Sequence, residues 1–428
     1  MSVKFGRGAL HLFGSAVIDQ VVLSATSFAV AFLLIRFSTD TDYAMYVLVQ
    51  STLLLVGSAH GAWLMGPLAV LAPRLPTEER RLTIGAVKLT HRRWLKGAAL
   101  SLFALPLAGY LVGLLTGLIA AIVTIGIVAA WMALRRDFLR SVLLIYSRPH
   151  TLLRADGVYA LALLSGIGAA VMIGKGVIVI AVCALVVAAW AGAADAHRSL
   201  ATDPGWRSGE DASIWPEIRA LGFWSALGST IYWFLGQSYS YVLAAGIGLK
   251  AVANVNASRV LMMPMFVLTI GVASLLGPSA ATWYGEMGLR RLVRRLLVFL
   301  LVVGTLEATY FTIVWFARDW LVTDVLHKSI ADRDQLFILW AAVAFIALVR
   351  DFLQCALTAT GHFRSLAWQV GVSAALAMLI MWFGIPKWGA AAALIGQIVG
   401  ELVNLAGILY LLVKSIRSPL TVPIPLKT

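Results

Sequence analysis

Arg136-Asp137-Phe138-Leu139 and Arg350-Asp351-Phe352-Leu353 are one tetrapeptide written twice, half a chain apart in 428 residues. Each copy stands near the end of a long apolar stretch, where a charged pair is costly. The repeat extends outward from there. At the same offset Gly157-Val158 falls on Gly371-Val372, and Gly14-Ser15 on Gly228-Ser229. Leu64-Met65-Gly66-Pro67 resembles Leu275-Leu276-Gly277-Pro278 with a three-residue slip, as an indel in one loop would leave. The chain therefore reads as two homologous halves, each placing an Arg–Asp pair inside an apolar segment.

The composition says what those segments are. Hydrophobic residues make up 61% and charged residues 13%, with a mean hydropathy of +0.89. A soluble domain is about half apolar and a quarter charged. Apolar runs long enough to cross a hydrocarbon layer of ~30 Å recur from Ala9 to Val413. The fold class is all-α integral membrane, with about 12 transmembrane helices. The spans fall near 9–36, 43–72, 95–116, 118–147, 155–173, 177–196, 221–247, 252–283, 296–317, 335–360, 366–384 and 389–413. The first is too long for a signal peptide and reads as a permanent helix. An even division puts both halves in the same orientation, as parallel repeats. The domains are then an N-lobe at 1–197, a cytoplasmic linker at 198–220, a C-lobe at 221–413 and a cytoplasmic tail at 414–428.

Basic residues set the orientation. With the N-terminus inside, cytoplasmic segments hold 22 of the 34 Lys and Arg residues, including Arg74 to Lys96 and the cluster Arg290, Arg291, Arg294 and Arg295. The opposite face holds Arg36, Lys175, Lys250, Arg318, Lys328, Arg333 and Lys387. Both termini are expected in the cytoplasm. The net charge of +14 is accounted for by attraction to anionic inner-leaflet lipids, and nucleic acid is not an expected partner. Cys183 and Cys355 lie in apolar stretches and read as buried structural thiols. Small residues at Gly109, Gly113 and Gly117, and at Gly396 and Gly400, read as helix-packing ridges. Pro67, Pro106, Pro264 and Pro278 are expected to kink or break their helices.

Five arginines fall inside spans: Arg135, Arg136, Arg140, Arg259 and Arg350. Arg136 and Arg140 share a helix face, and Asp137 can pair with Arg140 three residues on. Arg136 lies roughly 16 Å along its helix from the cytoplasmic end. Arg350 holds the matching depth in the second half. Arginines outnumber acids locally, so surplus guanidinium is expected there, suited to bidentate binding of phosphate or pyrophosphate. The alternatives are ion pairs of Arg136 with Asp137 and of Arg350 with Asp351 that lock helices within a lobe, or snorkelling to the headgroups. Arg259 supplies a lone positive charge on the outer side, with Asn254 and Asn256 nearby to hydrogen-bond sugar hydroxyls; the alternative is a residue that snorkels to the outer interface. Asp19, Glu307 and Glu401 are isolated intramembrane acids, candidates for ion coupling or for pairing an arginine. His60 reads as a hydrogen-bonded structural residue. No metal-ligand or nucleophile motif appears, so neither a cofactor nor a metal is expected, and the chain is not read as an enzyme.

Three stretches carry a resemblance. Ser38-Thr39-Asp40-Thr41-Asp42-Tyr43-Ala44-Met45-Tyr46 resembles the "LGPEEYGLY" loop of bacterial polysaccharide repeat-unit flippases. Gly248 to Pro264 resembles that family's second-lobe counterpart. Arg136 to Arg140, followed by Ser147-Arg148-Pro149, resembles the end of its fourth span. These Wzx-type flippases belong to the multidrug/oligosaccharidyl-lipid/polysaccharide (MOP) superfamily, which also holds multidrug antiporters.

The resemblance implies a MATE-like, V-shaped bundle of two six-helix lobes in the bacterial inner membrane, working by alternating access. It implies a cargo of oligosaccharide on undecaprenyl diphosphate, moved to the outer leaflet for surface polysaccharide, O-antigen or exopolysaccharide. A polysaccharide polymerase or export machinery would be the partner. A cation-coupled drug antiporter is the alternative within transport, and a polytopic polymerase or ligase is the alternative among enzymes.

Overall fold

Thr39-Asp40-Thr41-Asp42 is a capping sequence. The Thr39 hydroxyl donates to the Asp42 carboxylate at 2.7 Å and accepts from the Asp42 backbone N–H at 3.1 Å. That reciprocal pair ends one helix and starts the next. The computed structural model describes residues 7–203, 206, 214–330, 332–360 and 363–417, and those described are helices and their connections, with no strand. Residues 204–205 and 207–213 of the expected linker and the tail from 418 onward lie outside these residues, while the rest of that linker includes the end of one helix at Leu200 and the start of the next at Trp215.

The helices are α1 Arg7–Phe37, α2 Asp40–Arg74, α3 Thr77–Leu111, α4 Gly117–Ile145, α5 Pro149–Ile173 and α6 Val177–Leu200. They continue as α7 Trp215–Gln237, α8 Tyr239–Gly246, α9 Leu249–Trp320, α10 Arg333–Ala359, α11 Phe363–Trp388 and α12 Ala391–Arg417. Helix α9 holds two expected spans, joined at Gly288, whose φ of 74° and ψ of 169° turn the chain. Eleven segments among the described residues are long and apolar enough to cross a membrane. This is a multi-pass membrane protein.

The chain divides into two compact units, Met1–Thr230 and Ile231–Thr428, so the division falls inside α7. In the first unit α6 packs on α4 and α5, α1 packs on α5, and α3 on α4. The second unit repeats the pattern: α12 packs on α10 and α11, and α9 on α10. Phe138 and Leu139 are buried in the first core, beside Leu68, Val87 and Leu152. Phe352 and Leu353 are buried in the second, beside Leu292, Leu296 and Ile408. The Phe-Leu half of the repeated tetrapeptide is therefore a core anchor in both units.

Several local expectations change. The basic stretch Arg74 to Lys96 is no loop, because α3 begins at Thr77 and runs unbroken to Leu111. Pro106 and Pro264 sit inside continuous helix, and the break in α9 is at Gly288. Pro67 follows a wide turn at Gly61–Met65 that absorbs its missing N–H. Gly109, Gly113 and Gly117 form no ridge, since Gly113 is a positive-φ turn residue and Gly117 opens the next helix. Gly396 and Gly400 do meet a neighbouring helix. A Cβ there would lie 2.7 Å from the Ala377 carbonyl oxygen and 2.8 Å from the Ala377 Cβ respectively. Cys355 is buried, whereas Cys183 is exposed on the surface of its unit.

Candidate functional site

Helix α4 carries Arg136 and Arg140 one turn apart, so both guanidinium groups point toward α5 and α1. There they meet Asp156, a carboxylate with no exposed surface, seven residues into α5. Arg136 donates to Asp156 Oδ1, and Arg140 Nε donates to Asp156 Oδ2 at 2.7 Å. Arg140 Nη2 reaches across to Asp19 Oδ2 on α1 at 2.8 Å. Arg136 also stands 3.7 Å from Asp137 and lies over the Tyr159 ring with its guanidinium carbon 3.7 Å from the centroid. Helix α6 leaves room for this packing at Gly192, where a Cβ would meet the Ala155 carbonyl at 3.1 Å, Tyr159 at 3.1 Å and Arg136 at 3.4 Å. Gly192→Val is expected to lower stability by about 1–3 kcal/mol through overpacking. A thermal-unfolding midpoint indistinguishable from wild type would contradict that.

In the second unit a single arginine holds the equivalent place. Arg350 is 2% exposed, and each of its three guanidinium nitrogens is engaged. Nη1 lies 2.9 and 2.8 Å from the two oxygens of Glu401 on α12. Nε donates to Asp351 at 3.1 Å, and Nη2 donates to the Tyr232 hydroxyl on α7 at 3.0 Å.

The expected surplus of positive charge is thus absent around these arginines. Arg136 and Arg140 face three carboxylates, Asp19, Asp137 and Asp156, and Arg350 faces two, Asp351 and Glu401. A buried cation is affordable only beside counter-charge, and here the acids exceed the bases by one in each unit. Asp137 does not pair with Arg140 as its spacing suggested; its contact is to Arg136. Arg135, on another face of α4, has no carboxylate within ion-pair distance among the described residues and is half-buried.

Arg259, on α9, is in a different setting. Its Nη1 lies 3.3 Å from Gln237 Oε1 and 3.3 Å from the Tyr239 hydroxyl oxygen, both neutral. Its guanidinium carbon is 5.8 Å from the Phe266 ring and 5.5 Å from the Trp340 ring. Its Nε is buried without a partner, and no carboxylate pairs with it among the described residues. Trp340 is fixed in turn by donating its indole N–H to the Val255 carbonyl at 3.0 Å. Asn256 is not free for a sugar hydroxyl. It accepts from Tyr239 at 2.7 Å and donates to the Val252 carbonyl at 2.9 Å. Asn254 is half-buried.

Glu307 lies on the second arm of α9 and is 1% exposed. One of its oxygens accepts from Thr269, and the other has no partner among the described residues. His60 and His91 face each other with their Nε2 atoms 2.8 Å apart.

Sequence reasoning missed Asp156, Tyr159, Tyr232, Gln237, Tyr239 and Trp340. Asp156 left one signal, an acid at the depth of the Arg136 turn on the next, antiparallel helix. The others left none, since neutral residues in apolar segments look like packing.

No protein-family model and no curated protein sequence matches the chain. Solved structures do match in fold. A multidrug resistance MATE family transporter of the MOP superfamily, in its inward-facing conformation, superposes with a TM-score of 0.75 at 12% identity, over 93% of this chain and 96% of that one. The outward-facing conformation of such a transporter gives 0.67 at 12% identity, over 96% of each chain. A mutant of a Vibrio cholerae MATE transporter gives 0.67 at 17% identity, over 96% of this chain and 97% of that one. The chain therefore has the MATE fold.

Proposed function

We propose that this chain is an alternating-access transporter that moves an undecaprenyl-diphosphate-linked oligosaccharide from the cytoplasmic to the outer leaflet. Its place would be the bacterial inner membrane, with both termini cytoplasmic, supplying surface polysaccharide synthesis. The fold supports transport, and the resemblance of residues 38–46, 136–149 and 248–264 supports this cargo. The single observation that carries the reading is Arg259. A guanidinium kept in an apolar unit without a carboxylate is costly unless an anion completes it. A phosphoryl oxyanion, taken bidentately, is the best fit to its planar fork. The arginines of the repeat, already neutralised, act as positioning groups.

The test is flipping of a fluorescent undecaprenyl-diphosphate glycan in proteoliposomes holding the full chain. Arg259→Ala is expected to slow flipping roughly ten- to a hundred-fold, the range for lost hydrogen bonds to a charged group. Arg259→Lys should recover only part of this, since an ammonium is a point charge. Wild-type flipping by a correctly inserted Arg259→Ala protein would overturn the assignment.

A second reading, a cation-coupled drug antiporter, is favoured by Glu307, a buried carboxylate with no cation beside it among the described residues. Dye efflux driven by a pH gradient, lost in Glu307→Gln, together with no glycan flipping, would select it.

A further inference from the structure

The two units turn at matching elbows, and their charge chemistry is opposite. In the first unit α2 passes into α3 at Ala72–Thr77. Arg80 closes the end of α2, donating to the carbonyls of Ala72 at 3.1 Å, Pro73 at 3.2 Å and Leu75 at 3.1 Å. Arg81 pairs with Glu78 at 2.9 Å, and both Arg81 and Arg148 reach Asp203 at 3.5 Å. Asp203 is buried. The first elbow supplies its own anions.

In the second unit the matching elbow is at Gly288, where the two arms of α9 meet beside the end of α12. It carries Arg290, Arg291, Arg294 and Arg295, all exposed, with Lys414 and Arg417 on the adjoining turn. A cavity of about 480 Å³ opens there, lined by Glu286, Met287, Gly288, Arg290, Arg291 and Ser415 among others. Arg295 lies over the Trp283 ring at 3.9 Å, and Trp283 stacks on Phe299. None of these six cations is ion-paired among the described residues, and Glu286 is the one carboxylate in the lining.

The repeat shows where the anions went. Helices α6 and α12 begin at Val177 and Ala391, in register with the tetrapeptide, and in that register Asp203 falls on Arg417. Glu78 falls on Leu292, or on Leu289 if the three-residue slip is applied. Every carboxylate that neutralises the first elbow is replaced in the second by an apolar or basic residue. A cavity is present at both elbows, that of the first being about 200 Å³ and lined by Thr77, Arg80, Arg81, Arg148 and Asp203 among others.

We propose that this second elbow binds an external phosphoryl oxyanion, presented as the headgroup of an anionic phospholipid in the leaflet where α9 turns at Gly288 and α12 ends. The apolar flanks at Trp283, Leu289 and Phe299 suit a ligand whose headgroup sits beside acyl chains. Arg290 and Arg291 line the cavity and are the contacts, while Arg295 is held on Trp283. The cations at this elbow are exposed, so their interaction with lipid is salt-sensitive. The inference needs only the membrane-spanning fold and is independent of the transported cargo.

The full chain, delipidated in detergent, would be titrated with phosphatidylglycerol, phosphatidylcholine and inorganic pyrophosphate and followed by native mass spectrometry. Phosphatidylglycerol is expected to bind, and Arg290→Gln/Arg291→Gln is expected to weaken it roughly thirty-fold, two basic residues' share. The control Arg93→Gln/Lys96→Gln, an exposed basic pair on α3, should change it less than about twofold. If pyrophosphate binds with the same variant dependence and phosphatidylglycerol does not, the oxyanion site stands and its source is free phosphate. Equal weakening by both double variants would reduce the elbow to general surface attraction and overturn the proposal. Absence of binding by either phosphoryl ligand would overturn it as well.

Discussion

Arg350→Ala is expected to destabilise the second unit by about 3–5 kcal/mol, the cost of leaving buried charge without its partner. The loss would appear as a large fall in thermal midpoint in detergent and in membrane abundance. Glu401 would lose both hydrogen bonds from Nη1, and Asp351 and the Tyr232 hydroxyl would lose theirs. A substrate-only role for Arg350 predicts the reverse, lost transport at normal abundance. The double variant Arg350→Leu/Glu401→Leu separates the two. It removes charge in balance and should recover much of the stability, because apolar replacement of a whole buried pair is often neutral. An Arg350→Ala protein as stable as wild type would refute the pairing as a structural element.

Asp156→Ala should produce a loss of similar size in the first unit, about 3–5 kcal/mol, since one carboxylate serves two guanidinium groups. Asp156→Asn is expected to fall between, keeping the shape of the contact while losing its charge. Asp137→Ala is the internal comparison. Its side chain is 38% exposed and stands 3.7 Å from Arg136, so its removal should cost about 1 kcal/mol or less. Chemical-denaturation midpoints for the three variants give the order directly. If Asp137→Ala proved as damaging as Asp156→Ala, the sequence-adjacent pair, and not the interhelical one, would be the structural bond.

The elbow at Gly288 and the guanidinium of Arg259 share a logic that the repeat makes visible. Where a charge must be neutral for the unit to fold, the chain supplies its partner, as it does for Arg136, Arg140 and Arg350. Where the chain supplies none, a ligand is the natural complement. That criterion, together with the buried and unpartnered Nε of Arg259, moves the proposed anion-binding role from Arg136, Arg140 and Arg350 onto Arg259.

Much of the architecture was legible in the linear chain. The apolar runs, the duplicated Arg-Asp-Phe-Leu and the bias of basic residues gave the helical membrane class, two repeated halves and a proposed orientation. These are properties of composition and spacing, which burial in lipid constrains residue by residue. Helix ends were less legible. The segment Arg74 to Lys96 looks like a loop by charge, yet helix formation depends on backbone hydrogen bonds, and basic side chains continue a helix readily.

The sequence by itself determined that each half carries an arginine at one depth inside an apolar segment, followed by Asp, Phe and Leu. Only the tertiary structure decided what those arginines touch. At the offset of the repeat, the positions matching Asp156 and Asp19 are Val370 and Trp233, and the position matching Glu401 is Val187. Beyond the aspartate that follows each repeat arginine, the first unit draws its counter-charge from α1 and α5, and the second from α12, with a tyrosine hydroxyl from α7. A guanidinium on a long side chain can be neutralised from any adjoining helix, so selection for neutrality leaves the donor helix free to differ. That choice lies in the packing, beyond the reach of the repeated sequence.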